Sequence, residues 1–199
     1  IQGTLNEDSG VSNREMLKAL AQYGWCEESD WPYDIQKFTQ KPPESCYAQA
    51  ATRKITQYLR VVQDASQMKA CLAGGDPFIF GFTVYASMET QQVESTGILP
   101  MPKAGERVLG GHDVLMVGYN DATQRFKFLN SWDGWGRKGF GEIPYAYALD
   151  AKKAADFWTI KWKDQMPAPQ PTPPPISQKY RVTIVFDENF AAVEKFDKA

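Results

Sequence analysis

The alternation of apolar and polar positions divides the chain into short elements separated by glycine- and proline-containing breaks. Residues 12–24 carry the clearest helical signal. Ser12-Asn13-Arg14-Glu15 is a capping-box pattern, Leu17, Leu20 and Ala21 share a face, and Gly24 supplies the C-terminal stop. Residues 25–45 hold Pro32, Pro42 and Pro43 and read as loop, with Trp31-Pro32-Tyr33-Asp34 as a rigid aromatic corner. Residues 55–62 predict a strand, 65–75 a short helix closed by two glycines, and the apolar run 78–85 a second strand. Residues 112–119 and 125–132 are strand-like and flank Asn-Asp-Ala-Thr-Gln, which predicts a hairpin; residues 158–162 predict one more strand. The pattern changes at residues 165–178, where six prolines predict an extended, semi-rigid linker, and one further strand is expected in the tail that follows. Such a tail is too short to bury a core of its own.

The predicted hairpin carries the only histidine of the chain, His112, behind a pair of glycines. If Tyr119 pairs with Arg125 across a five-residue turn, antiparallel counting sets His112 opposite Trp132 and Val114 opposite Asn130. His112, Asn130 and Trp132 then project from one face, with His112 and Asn130 as diagonal neighbours within side-chain reach. A register slip of one residue would move Asn130 to the other face. An amide beside one ring nitrogen fixes the orientation and tautomer of an imidazole, and an indole beside the pair shields that hydrogen bond from water. The plainer alternative is a histidine satisfied at a strand end, with Asn130 and Trp132 as ordinary turn and core residues.

Composition narrows the function classes. At 199 residues with 43% hydrophobic content, the chain can bury a real core. A formal charge of −2 leaves no basic excess for a phosphate backbone, so nucleic acid is not an expected partner. No apolar run reaches the length of a membrane span, and no membrane partner is expected. The three cysteines, Cys26, Cys46 and Cys71, form no C-x-x-C pair, and with one histidine a structural zinc site would need an unusual ligand set. Neither a metal nor another cofactor is expected. A Cys26–Cys46 disulfide would close a modest loop in an extracytoplasmic location, and the sequence leaves that pairing open.

Gly110-Gly111-His112-Asp113-Val114-Leu115-Met116-Val117-Gly118-Tyr119-Asn120, followed by Asn130-Ser131-Trp132, Trp135-Gly136 and Gly139-Phe140, resembles the histidine and asparagine motifs of papain-like cysteine peptidases. The likeness runs over roughly residues 5–163 and includes the helix, the Trp-Pro-Tyr corner and the strand at 78–85. It implies an α+β, papain-like fold. Residues 1–50 would be the remnant of a helical left domain and 51–164 an antiparallel β-barrel right domain carrying the histidine and asparagine. The Pro-rich linker would span 165–178, and a tail with a short C-terminal strand 179–199. It further implies His112 as general base and acid and Asn130 as its orienter, with a peptide or protein as substrate. Trp132 would be the shield, Trp135 would line the leaving-group side, Ser9 and Gly10 would hydrogen-bond the substrate backbone, and Gly111 would edge the specificity pocket. Two positions depart from the family pattern: Asp133 stands where glycine is usual, and Asp113 where a small apolar residue is common.

A papain-like enzyme also needs a thiolate at a helix N-terminus, the arrangement used as the reference case of Cys-His-Asn catalysis. That cysteine stands about 130–150 residues before the histidine and asparagine. Counting back from His112 passes Ile1, so the expectation is an upstream partner segment supplying both the cysteine and the oxyanion glutamine. Cys46, six residues after Gln40, is an internal alternative, but Pro42 and Pro43 stiffen the segment where backbone amides would have to approach an oxyanion. Cys71 reads as a small buried hydrophobe and Cys26 as structural. A catalytically dead peptide-binding or scaffold module is the competing reading.

Overall fold

The computed structural model of the protein describes residues 10–132, 134–162, 180–186 and 192–198; Ser9, Asp133 and the expected linker lie outside them. Ser12 caps helix α1 (Asn13–Gln22), its Oγ accepting from the Glu15 amide at 3.4 Å. Gly24 follows at φ 83°, and a Cβ there would stand 1.9 Å from the Ala50 carbonyl oxygen. Leu17 is the buried apolar anchor of this helix. Helix α2 (Glu44–Ala50) opens directly behind Pro43, whose φ of −64° suits the entry. The sequence pattern did not predict α2.

Six strands form one antiparallel sheet in the order β1-β6-β2-β3-β4-β5. They are β1 (Ile55–Arg60), β2 (Phe78–Tyr85), β3 (Val108–Asn120), β4 (Arg125–Leu129), β5 (Phe140–Pro144) and β6 (Ala154–Trp162). Helices α3 (Ala65–Ala73), α4 (Gln91–Thr96) and α5 (Tyr145–Ala148) complete this unit. In β2 the alternation is regular: Phe78, Phe80, Phe82 and Val84 are all buried, because β2 lies between β3 and β6 with one face on the core. That face meets Phe157 of β6, whose ring stacks on Phe80 at 5.4 Å, and Phe128 of β4, 6.2 Å from Phe82. Strand β5 is short and carries Gly141 and Pro144, and Pro144 sits at its end on an edge of the sheet.

The expected hairpin register needs one correction. Asn120 pairs with Arg125 and Tyr119 with Phe126, so the turn is four residues rather than five. Asn120 Oδ1 closes it by accepting from the Ala122 amide at 2.9 Å, and Gln124 takes a left-handed φ of 54°. The register then shifts between Met116 and Gly118, so that Met116 faces Phe128 and Leu115 faces Leu129. One extra residue on β3 thus cancels the one-residue error at the turn, and the far end of the hairpin has the phase that places His112 across from Trp132. The tail also differs from expectation. It holds two strands, β7 (Tyr180–Phe186) and β8 (Ala192–Lys198), paired antiparallel with Tyr180 opposite Lys198. Four charged residues in Ala192–Lys198 conceal the second strand from a propensity reading.

The loop after β4 is held by close glycine contacts. Gly136 has φ 60°, donates its amide to the Glu94 carbonyl at 2.6 Å, and would place a Cβ 2.4 Å from the Phe140 carbonyl oxygen. Gly136→Ala is expected to destabilise the protein by about 2–3 kcal/mol, read as a lowered denaturant midpoint at unchanged slope. An unchanged midpoint would show that this loop carries no such constraint.

Candidate active site

His112 lies inside β3, with Phe82 of β2 as its Cα partner. Strand β4 ends at Leu129, so Asn130 and Trp132 stand just beyond its last ladder residue. The chain there is held by the Asn130 amide, which donates to the Gly139 carbonyl at 2.8 Å. This is where the sheet opens enough for side chains of the following loop to fold back over β3.

The three residues that strand counting placed on one face do meet. His112 Nε2 lies 2.8 Å from Asn130 Oδ1, and the imidazole stacks on the Trp132 indole with centroids 4.4 Å apart and planes at 24°. Asn130 is buried while Trp132 remains 39% exposed, so the indole covers the hydrogen bond and keeps its own outer face in solvent. Asn130 Oδ1 also accepts from the Ser131 amide at 2.8 Å. That backbone donor identifies the oxygen of the amide group and therefore makes Nε2 of His112 the protonated nitrogen facing it. Nδ1 is left as the basic nitrogen.

Phe82, which the sequence did not single out, packs edge-on to His112 at 5.8 Å and 71°. The signal that could have found it is register, since it is the direct cross-strand neighbour of the histidine. Trp135 is buried, crosses Trp132 at 88° with centroids 5.9 Å apart, and leans on Phe128. It joins Phe82, Met88, Leu99, Asn130 and Trp132 in lining a small apolar recess beside the His112–Asn130 pair. Gly141 makes room for it, because a Cβ at that position would fall 2.7 Å from the Trp135 ring.

A second, open pocket of about 290 Å³ is lined by His112 itself and bordered by Gly81, Gly111, Asp113, Lys153 and Asp156. Gly111 and Gly81 keep it open, and the Asp113 carboxylate lies over Gly81, 3.0 Å from where a Cβ would stand. Asp113 accepts from Asn13 Nδ2 at 2.8 Å, and the same amide reaches the Asp156 carbonyl at 3.3 Å. Asn13, only 5% exposed, therefore ties α1 to β3 and β6 beside the histidine, a contact a hundred residues apart in sequence that no local pattern could show. Gly10 is exposed ahead of α1, with open space where a Cβ would be. The thiols stand apart from this cluster: Cys46 donates to the Asp30 carbonyl, Cys71 to the Asp76 carbonyl, and no cysteine lines either pocket. Burial pushes the Cys71 thiol above its ordinary range, as it does that of Cys46, which is the reverse of activation.

Residues 6–157 match the family model for papain family cysteine protease. A peptidase C1-like protein of Acanthamoeba polyphaga mimivirus, described as uncharacterized, is 38% identical over 170 residues, covering 81% of this chain and 55% of that protein. Among solved structures, xylellain, a cysteine protease from Xylella fastidiosa, superposes with a TM-score of 0.75 at 39% identity, over 81% of this chain and 65% of its own. Procathepsin B S9 from Trypanosoma congolense shares the fold at a TM-score of 0.55 and 18% identity, over 75% of this chain and 53% of its own. The chain spans about half the length of the viral relative and somewhat less than two thirds of xylellain. The α+β architecture, the His-Asn-Trp cluster at the end of the hairpin and these matches agree: the chain belongs to the papain family of cysteine proteases.

Proposed function

We propose that this chain is the downstream part of a papain-like cysteine endopeptidase that hydrolyses peptide bonds, with the nucleophilic cysteine and an oxyanion glutamine supplied by an upstream segment. The observation that carries this reading is the double use of Asn130 Oδ1. It takes one N–H from the Ser131 backbone and one from His112 Nε2, which leaves Nδ1 as the nitrogen available to a thiol. An orienting amide and a stacked indole around a solvent-facing imidazole are what a base needs and what a structural histidine has no use for.

In this reading His112 Nδ1 takes the proton of the upstream thiol, and the thiolate adds to the scissile carbonyl carbon. Collapse of the tetrahedral adduct breaks the C–N bond, and the imidazolium returns its proton to the departing amine, leaving a thioester. Water, deprotonated by His112, then hydrolyses the thioester and restores the thiol. Trp132 holds the imidazole by its face and excludes water from the His112–Asn130 bond, while the recess at Trp135 receives the leaving-group side. Gly111 and Gly81 leave the pocket beside His112 open for a substrate side chain, and Gly10 and Ser9 would hydrogen-bond the substrate backbone.

The test is a thiol-directed peptidyl inhibitor applied to the natural protein carrying its upstream segment, followed by peptide mapping. Label on an upstream cysteine, lost when the histidine is replaced by alanine, is the expected result. Label on Cys46 would place the nucleophile inside this chain, and absence of label would favour a non-catalytic peptide-binding module.

A further inference from the structure

Cys26 and Cys46 are not used by the proposed chemistry, yet the fold brings them together. Cys46 is buried on the face of α2 that receives residues 26–30. One turn further along, Gln49 accepts from the Glu27 amide at 2.6 Å and donates to Asp30, and Arg53 pairs with Glu27. Cys46 Sγ donates to the Asp30 carbonyl at 3.7 Å, and on the near side of Cys26 the Trp25 amide donates to the Arg53 carbonyl at 3.2 Å. Cys26 is thus flanked by two backbone amides fixed to Gln49 and Arg53, on the segment whose first turn carries Cys46, and a disulfide needs only that the two Cα atoms approach to about 4.4–6.8 Å.

The segment between them has few other anchors. From Trp25 to Pro43 no side chain is buried, and Tyr33, Ile35 and Phe38 are more than half exposed. The stretch leading into the aromatic corner is therefore held to α2 mainly by polar contacts of Glu27 and Asp30, and the exposed ones contribute little each. A cross-link from Cys26 to Cys46 would close this segment covalently and act mainly by removing conformations from the unfolded chain.

We propose that Cys26 and Cys46 form a disulfide that clasps the Trp25–Pro43 segment to α2 when the protein meets a small-molecule disulfide as oxidant, with Cys71 remaining a thiol. The thiolate of the less buried Cys26 attacks the oxidant, forming a mixed disulfide and releasing one equivalent of the small thiol. The Cys46 thiolate then attacks the Cys26 sulfur and releases the second equivalent. Two protein thiols are oxidised, one donor disulfide is reduced, and both protons leave with the two released thiols. The thiol of Cys46 is pushed up by burial and by Cys26 beside it, which makes it the slower of the two to meet an external reagent. Cys71 sits elsewhere, in α3, bonded to the Asp76 carbonyl. The inference does not depend on the peptidase reading and stands or falls without an activity assay.

The chain is equilibrated with oxidised and reduced glutathione, free thiols are blocked with an alkylating reagent in acid, and tryptic peptides are mapped without reduction. The expected product joins residues 19–37 to residues 38–53, with the Cys71 peptide alkylated. Cys26→Ser and Cys46→Ser should each abolish it. The melting temperature of the oxidised chain should fall by roughly 5–10 °C on reduction, a change absent from the Cys26→Ser variant and retained in Cys71→Ser. Persistent alkylation of both Cys26 and Cys46 under oxidising poise, a stable glutathione adduct on either, or a link to Cys71 would each overturn the proposal. A cross-link that forms with no change in melting temperature would overturn its role as a clasp.

Discussion

Replacing His112 with alanine is expected, under the proposed mechanism, to lower kcat/KM on peptide substrates by about 10³–10⁴-fold in the protein carrying its upstream segment, most of it in kcat. The size follows from the role. On the proposed mechanism, with no imidazole the upstream thiol would stay protonated near neutral pH and the leaving amine would receive no proton. Asn130→Ala leaves the base in place and removes the bond that orients it, made at 2.8 Å, together with the acceptor of the Ser131 amide, and should cost about 10–100-fold. The order of the two variants is the informative part. If Asn130→Ala were as damaging as His112→Ala, the amide would have to be doing more than holding the ring. If His112→Ala retained activity, the histidine would have no place in the chemistry. Unfolding should not confuse the His112→Ala measurement, because His112 is only partly buried with Trp132 exposed beside it, and a denaturant midpoint for buried Asn130→Ala separates lost stability from lost orientation.

Phe80→Ala is expected to destabilise the chain by about 3–5 kcal/mol, a large share of the total stability of a domain this size. Phe80 is fully buried, lies on the central strand β2, and stacks on Phe157 at 5.4 Å with the planes 2° apart and on Phe82 at 5.8 Å. Removing the ring leaves a cavity between β2 and β6, where rigid aromatic neighbours cannot collapse to fill it. Phe80→Leu should cost less than half as much. Thermal or denaturant unfolding of both variants checks this; equal midpoints for Ala and wild type would show that the centre of the sheet is not where the stability resides. Because Phe82 packs on both Phe80 and His112, the alanine variant is also expected to loosen the histidine ring.

Much of the site was legible before the fold, for a physical reason: its residues lie on one hairpin, where side chains alternate with period two. The count from the turn reached the right facing of His112, Asn130 and Trp132 although its first pair was wrong, since the shift between Met116 and Gly118 restored the phase. Strand β2 was equally legible, four buried side chains in alternation. Helix α2 and strand β5 were not. The first is seven residues long with no side-chain cap, and the second contains a glycine required by Trp135 and a proline tolerated on an edge. The contact of Asn13 with Asp113 was invisible because neither residue announces a partner a hundred positions away.

The strand order also has a consequence for the time course of folding. Strands β3, β4 and β5 follow one another along the chain and pair in that order, so the hairpin bearing His112 and Asn130 closes over loops of a few residues. Strand β6 comes last in sequence among the six and must insert between β1 and β2, where Ile55 meets Trp162 and Phe78 meets Thr159. Those closures span about a hundred and about eighty residues, and each carries an entropic cost that the hairpin avoids. The histidine and its amide are thus brought into register early, by local contacts, while the sheet that supports them is completed by the slowest step. Until β6 arrives, β1 and β2 each present an unpaired edge, and it is in that interval that a chain emerging from the ribosome is most exposed to pairing with a copy of itself.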